Sequence, residues 1–143
     1  MRVISGTAKG CTLKSIDDLS TRPTLDRVKE PLFSILQSYI QDANILDLFA
    51  GSGALGIESL SRGANHCTFC DLSYKAINMI KENLTKTRLV EKSTIINKDY
   101  KKCLNELNER YDIIFIDPPY KKDIAVESIK TILNLKLSRQ QEY

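Results

Sequence analysis

The sequence predicts an α/β fold built on a mainly parallel sheet, preceded by a β-hairpin and a helix. Three observations predict it. After residue 43 the apolar pattern alternates between short strand-like runs and longer helical ones, as βαβ units with right-handed crossovers require. The run Ile45-Leu46-Asp47-Leu48-Phe49-Ala50 passes into a glycine turn, Gly51-Ser52-Gly53, and a helical pattern follows. A last apolar run, 113–116, stops at Asp117-Pro118-Pro119-Tyr120, where two prolines without an N–H cannot continue a sheet ladder.

The elements follow in order. Residues 2–5 and 11–16 alternate and are joined by Gly6-Thr7-Ala8-Lys9-Gly10, which reads as a β-hairpin. Ser20-Thr21-Arg22-Pro23-Thr24 is a turn and a helix cap. Leu25, Val28, Leu32, Phe33, Ile35, Leu36 and Ile40 then recur at helical spacing, and Pro31 inside that pattern should kink the helix or delay its start. Strands are expected at about 44–50, 66–71, 93–98 and 111–116, and helices at about 54–63, 74–87, 100–109 and 123–136. In the 54–63 helix, Leu55, Ser59 and Leu60 should face inward, Glu58 and Arg62 outward. The chain thus divides into an extension, 1–43, and a core, 44–143. No internal repeat or low-complexity linker interrupts it.

Size and composition set bounds on function. At 143 residues the chain is one domain, with 42% apolar and 27% charged residues, ordinary for a soluble protein. No stretch approaches the roughly 18 apolar residues of a membrane span, and the N-terminus has no apolar signal core, so a cytoplasmic location is expected. Cys67 and Cys70 have C-x-x-C spacing, but no second pair follows and His66 is the sole histidine. A structural zinc site takes about four ligands, so no metal is expected, and both cysteines should sit in a strand as small buried hydrophobes. The net charge of +3 is unevenly spread. Residues 1–16 hold Arg2, Lys9 and Lys14, and 81–102 hold seven bases against three acids. The second run reads as outer helix surface, the first as a candidate nucleic-acid contact.

Gly51-Ser52-Gly53-Ala54-Leu55-Gly56 formally matches G-x-G-x-x-G. Asp47, four positions before it, argues against a dinucleotide, whose pyrophosphate would lie over this turn and be repelled. S-adenosylmethionine carries no phosphate there, but an ammonium and a sulfonium that an acid favours. Asp71 ends the second strand 20 residues after Gly51, where it can accept both ribose hydroxyls, with Leu72 lining the adenine. Asp99 ends the third, placed to accept from the adenine amino group. Asp71 and Asp99 could instead be helix N-caps. Asp117 and the Pro118 carbonyl can accept from an exocyclic NH2 on which Tyr120 stacks.

Four segments resemble the RNA guanine-N2 methyltransferases of bacterial small-subunit ribosomal RNA. They are Arg2-Val3-Ile4-Ser5-Gly6, Arg22-Pro23-Thr24-Leu25-Asp26-Arg27-Val28-Lys29-Glu30, Asp47 through Glu58, and Asp117-Pro118-Pro119-Tyr120. The resemblance implies a Rossmann-like class I methyltransferase fold, 16S rRNA or the small subunit as acceptor, and a monomer at full length. It implies cofactor contacts from Asp47, Phe49, Gly51, Gly53, Asp71, Leu72, Asp99 and Tyr100. Catalysis would fall to Asp117, Pro118, Pro119 and Tyr120. Arg2, Arg22, Thr24 and Arg27 are substrate candidates; Arg22, Thr24 and Arg27 could close over the cofactor or position RNA, with helix capping and surface charge as their plainer roles. A complete fold of this type has three further strands after 113–116, so these last strands are expected to be missing here.

Transfer would be an in-line displacement on an unpaired or flipped base, driven chiefly by orientation. Three rivals stand beside this reading. A DNA adenine-N6 methyltransferase also handles an exocyclic NH2. A non-catalytic fragment would at most bind cofactor or RNA. A nicotinamide oxidoreductase is opposed by Asp47 and by the lack of a histidine for the hydride site.

Overall fold

A computed structural model describes residues 1–15 and 23–118, with Val126 and Lys130, and residues 23–28 by their backbone alone. In chain order the elements are α1 (Pro23–Ile40), β1 (Asn44–Asp47), α2 (Ala54–Ser61), β2 (His66–Cys70), α3 (Tyr74–Thr87), a short 3-10 turn (Val90–Lys92), β3 (Ser93–Ile96), α4 (Tyr100–Glu106) and β4 (Ile113–Phe115). The strands form one sheet in the order β3-β2-β1-β4, and every pairing is parallel. The first two crossovers step outward from β1 to β3, and the last returns to the other side of β1. Direction therefore reverses beside β1, and a crevice opens there at the carboxyl ends of the strands.

Both faces of the sheet are used. Successive strand residues point to opposite sides. Ile45, Cys67, Phe69 and Phe115 join the core that takes in α2, α3, α1 and the N-terminal segment. Leu46 and Cys70, with Ile96 and Ile114 beside them, join the core formed with Cys103 and Leu104 of α4. This is why the strands read as continuous apolar runs rather than clean alternation. It also settles the C-x-x-C pair: three residues apart on one strand, Cys67 and Cys70 face opposite sides and cannot converge on one ion. Cys67 is a buried thiol, its pKa pushed up by burial and by the charge of Asp47. Cys70 is not free as expected but is joined to Cys103 by a disulfide that ties β2 to α4.

α2 is buried at every position. Gly56 is the reason the helix can lie so close to β2, since a Cβ there would come within 2.4 Å of Phe69 Cε1 and 2.6 Å of Cys67 Sγ. Glu58, expected outward, is fully buried. Its carboxylate accepts from Ile4 N at 2.9 Å and Ser5 N at 3.1 Å, and it pairs with Lys29 Nζ at 3.0 Å and Arg62 Nε at 2.8 Å. Burial alone would raise its pKa, but the hydrogen bonds from Ile4 and Arg62 and the Lys29 charge hold it below the usual range.

The same carboxylate shortens the N-terminal hairpin. Among the described residues, pairing is confined to the Arg2–Thr12 bridge and to the bonds Val3 N to Cys11 O, Gly10 N to Val3 O and Leu13 N to Met1 O. Ile4 and Ser5 give their N–H groups to Glu58, so no strand forms over 2–5. α1 starts at Pro23 and runs past Pro31, which therefore does not delay it. Ile35, read as part of the apolar stripe, is 73% exposed. α4 stops at Glu106, where Leu107 turns extended. The helix expected at 123–136 lies outside the described residues except for Val126 and Lys130, both helical. Among the described residues, no helix is long and apolar enough to cross a membrane.

Candidate functional site

The glycine turn is set by backbone conformation. Gly51 has φ +60° and Gly53 φ +83°, a region that L side chains avoid. A Cβ on Gly51 would meet nothing within 4 Å, so open space lies against this backbone. Gly53 is the N-cap of α2 and has no side chain to cap it. Asp47, from the end of β1, supplies the missing acceptor: its Oδ2 takes the N–H of Gly56, the third residue of the helix, at 3.1 Å. Asp47 is only 2% exposed. The expectation that it faces a ligand's ammonium is thus joined by a structural role beneath the turn.

Asp71 lies beside the turn and holds it. One carboxylate oxygen accepts from Gly51 N at 2.8 Å and the other from Ser73 N at 2.9 Å. Each carboxylate oxygen has a second acceptor site, and Asp71 is half-buried, so it can still take hydroxyl donors from the crevice. Asn97 secures the backbone behind it, donating to the carbonyls of Asp71 and Leu72 at 3.0 and 3.1 Å. Leu72 is itself 72% exposed at the rim. Asp99 is the N-cap of α4, its Oδ1 accepting from Lys101 N at 2.7 Å. Phe49, just after β1, and Tyr100, the first residue of α4, pack with ring centroids 5.4 Å apart.

The register explains how the acids gather. Asp47 pairs across to Phe69 and Phe115, and Asp71 and Asp117 each lie two residues further on. All three therefore belong to the same side of the sheet, at neighbouring strand ends. The consequence is electrostatic: burial raises the pKa of Asp47 to about 7, the Gly56 N–H opposes this, and the charges of Asp117 and Asp71 add to the rise. Half-buried Asp71 and Asp117 beside an open glycine turn, with buried Asp47 behind it, suit a ligand with cationic groups, a ribose and no phosphate. The residues present thus fit S-adenosylmethionine.

Asp117 and Pro118 are half-buried at the mouth of β4. Pro119, Tyr120 and Arg22 lie outside the described residues, and Thr24 and Arg27 are placed by backbone alone, in the first turns of α1. Arg2 has an exposed side chain well away in sequence from this crevice, its carbonyl held by Lys29 Nζ at 3.0 Å. Sequence reasoning missed Asn97, Lys29 and Asn83. Asn83, 1% exposed, donates to the carbonyls of Ser52 and Lys14 at 2.9 and 3.0 Å and so ties the turn to the N-terminal segment. Lys29 had a visible sign: it stands four residues before Phe33 and eleven before Ile40, on the apolar stripe of α1.

The family model described as conserved hypothetical protein 95 matches residues 1–141. The Bacillus subtilis protein YlbH is 44% identical over 138 residues, covering 94% of this chain and 73% of its own. A Haemophilus influenzae protein named ribosomal RNA small subunit methyltransferase D is 37% identical over 135 residues, covering 92% and 70%. Among solved structures, Escherichia coli yhhF superposes with a TM-score of 0.84 at 35% identity, covering 94% of this chain and 72% of that one.

Proposed function

The chain belongs to the conserved hypothetical protein 95 family, and from that premise we propose that it transfers a methyl group from S-adenosylmethionine to the exocyclic N2 of a guanine in small-subunit ribosomal RNA. The observation that carries the reading is the trio Asp47, Asp71 and Asp117 at adjacent parallel strand ends, around a glycine turn with open space before it. The name of the Haemophilus influenzae relative supports the RNA class.

When bound, S-adenosylmethionine supplies an electrophilic methyl on a sulfonium. The chain's own residues bind and orient. Asp71 accepts the ribose hydroxyls while its bonds to Gly51 and Ser73 keep it from turning away. Gly51 lets the backbone approach without a side chain in the way. Asp117 and the Pro118 carbonyl accept from the guanine NH2 and aim its lone pair at the methyl, with Tyr120 stacked on the base. The proton leaves after the bond has formed, so no strong general base is needed. Phe49 and Tyr100, whose rings pack together, would flank the adenine.

The test is transfer of labelled methyl to small-subunit ribosomal RNA, with DNA as a second acceptor and NADH as a cofactor control in calorimetry. Labelled N2-methylguanine in the RNA, lost in Asp117→Ala with S-adenosylmethionine binding kept, is the expected result. Labelled adenine in DNA, or NADH binding alone, would overturn it.

A further inference from the structure

A second concavity, of about 520 Å³, lies between the N-terminal segment and α1. It does not belong to the crevice above. Arg62, at the far end of α2, is part of its lining. The glycine turn is at the other end of that helix, which at ~1.5 Å per residue is roughly 12 Å away. Its size falls within the ~300–1,000 Å³ of small-ligand sites.

Its chemistry is mixed and hydrogen-bonding. Ser34 and Gln37 of α1, and Gln41 just beyond it, line one wall, and Ile4, Ser5 and Gly6 the other. The floor is fixed from behind. Arg62 has Nε committed to Glu58 at 2.8 Å and lies 4.9 Å from the centroid of the Phe33 ring. Glu58 in turn holds the N–H groups of Ile4 and Ser5 and pairs with Lys29, which is 1% exposed. These buried charges also satisfy the backbone N–H groups of Ile4 and Ser5. What they do here is hold the wall and the cation of the cavity in one geometry.

We propose that this cavity takes an unstacked base of the RNA, a subsite separate from the base that is methylated. The proposal rests on the RNA reading above. Amide side chains and an arginine are the groups that read base edges, and Glu30, also at the cavity, can accept from a base amino group. The wall that bears Ile4 and Ser5 belongs to the acid-free segment 1–16, where exposed Arg2 and Lys9 can meet the flanking phosphates.

The experiment uses the variants Gln37→Ala and Ser34→Ala, alone and together. Both side chains are exposed, so the fold should tolerate the change. Methylation of small-subunit ribosomal RNA and binding of S-adenosylmethionine are measured in parallel. A base subsite predicts a KM for RNA raised about tenfold in the double variant, with kcat and S-adenosylmethionine affinity unchanged. If the parent methylates RNA and the double variant matches its KM, the subsite is overturned and the function stands. If the parent binds S-adenosylmethionine but neither methylates nor binds RNA, both fall together. Enhanced affinity for a ribosomal protein lost in the variants, with RNA unaffected, would overturn the base in favour of a protein partner.

Discussion

Asp47 is the residue whose two roles pull against each other. Burial and the charges of Asp117 and Asp71 raise its pKa from 3.8 to about 7, against the Gly56 N–H that favours the charged form. Between those two values the folded state holds a proton that the unfolded state has lost, so the stability from this residue falls as pH rises. Below pH 3.8 both states are protonated and the penalty is absent; above about 7 it is complete. Asp47→Asn keeps an oxygen for Gly56 and removes the charge. It should raise stability at pH 8 by a few kcal/mol at most, at ~1.4 kcal/mol for each tenfold change in proton affinity, and leave it unchanged at pH 4. Urea unfolding at the two pH values decides; equal effects at both would mean that the charge is not the cause. The cationic ligand has the opposite preference. Affinity of the parent for S-adenosylmethionine should rise from pH 6 to 7.5 relative to that of Asp47→Asn, because binding favours the ionised acid. Gly6 makes a simpler case at the same scale. Its φ is +91° and a Cβ would sit 1.8 Å from the Ser61 carbonyl oxygen, so Gly6→Ala must push the N-terminal segment off α2. A cost above about 2 kcal/mol is expected from strain and overpacking together, read as a fall in the urea midpoint.

At the scale of elements, α1 and the N-terminal segment are fastened to α2 by Glu58 rather than by sheet pairing. Replacing a buried ion pair by apolar groups is often harmless, but not here, because Glu58 also satisfies two backbone N–H groups that would be left unpaired. Removing one partner is worse still. Lys29→Met takes away the Glu58 pair and the bond to the Arg2 carbonyl and should cost about 3–5 kcal/mol. A loss below 1 kcal/mol in chemical denaturation would show that Arg62 alone neutralises Glu58. This fastening also marks where the sequence stops being legible. The alternation of β1, α2, β2, α3 and β3 was readable because each element repeats a period of its own, and the acids after each strand end stood out against apolar runs. Partnership was not readable. Glu58 has the spacing of an outward residue on α2, and only the arrival of Ile4, Ser5 and Lys29 from far along the chain makes burial possible. The hairpin expected over 2–5 and 11–16 is present but shortened for the same reason, the N–H groups of Ile4 and Ser5 being taken by Glu58. Asp99 and Asp71 were legible as acids at strand ends, but which of their lone pairs the loops occupy depends on turns that no periodicity encodes.

For the whole molecule, the net charge of +3 is small, so under the proposed function RNA affinity would rest on where a few cations stand rather than on their number. The bases of 81–102 are exposed, but they spread over α3, α4 and the connections around β3, and Lys98 is paired with Glu106. Lys14 is partnered by Glu82 at 3.2 Å. Arg2 differs in how it is presented. Its carbonyl is anchored by buried Lys29 and its neighbours pair with residues 10–13, so its exposed side chain projects from a fixed backbone next to the cavity under residues 4–6. Arg2 also stands in the acid-free segment 1–16, whereas Lys86 follows Glu82 by one turn on α3. Each phosphate neutralised releases counterions and adds roughly 0.7–0.9 to the slope of log affinity against log salt. Arg2→Ala should therefore lower that slope by about 0.7–0.9 and weaken binding to small-subunit ribosomal RNA with little regard to sequence. Lys86→Ala, on α3, should leave the slope unchanged. Titrations of RNA binding at several salt concentrations compare the two variants directly. If Lys86→Ala lowers the slope as much as Arg2→Ala, the RNA is held by diffuse surface charge, and the N-terminal segment has no special part in presenting it to the crevice.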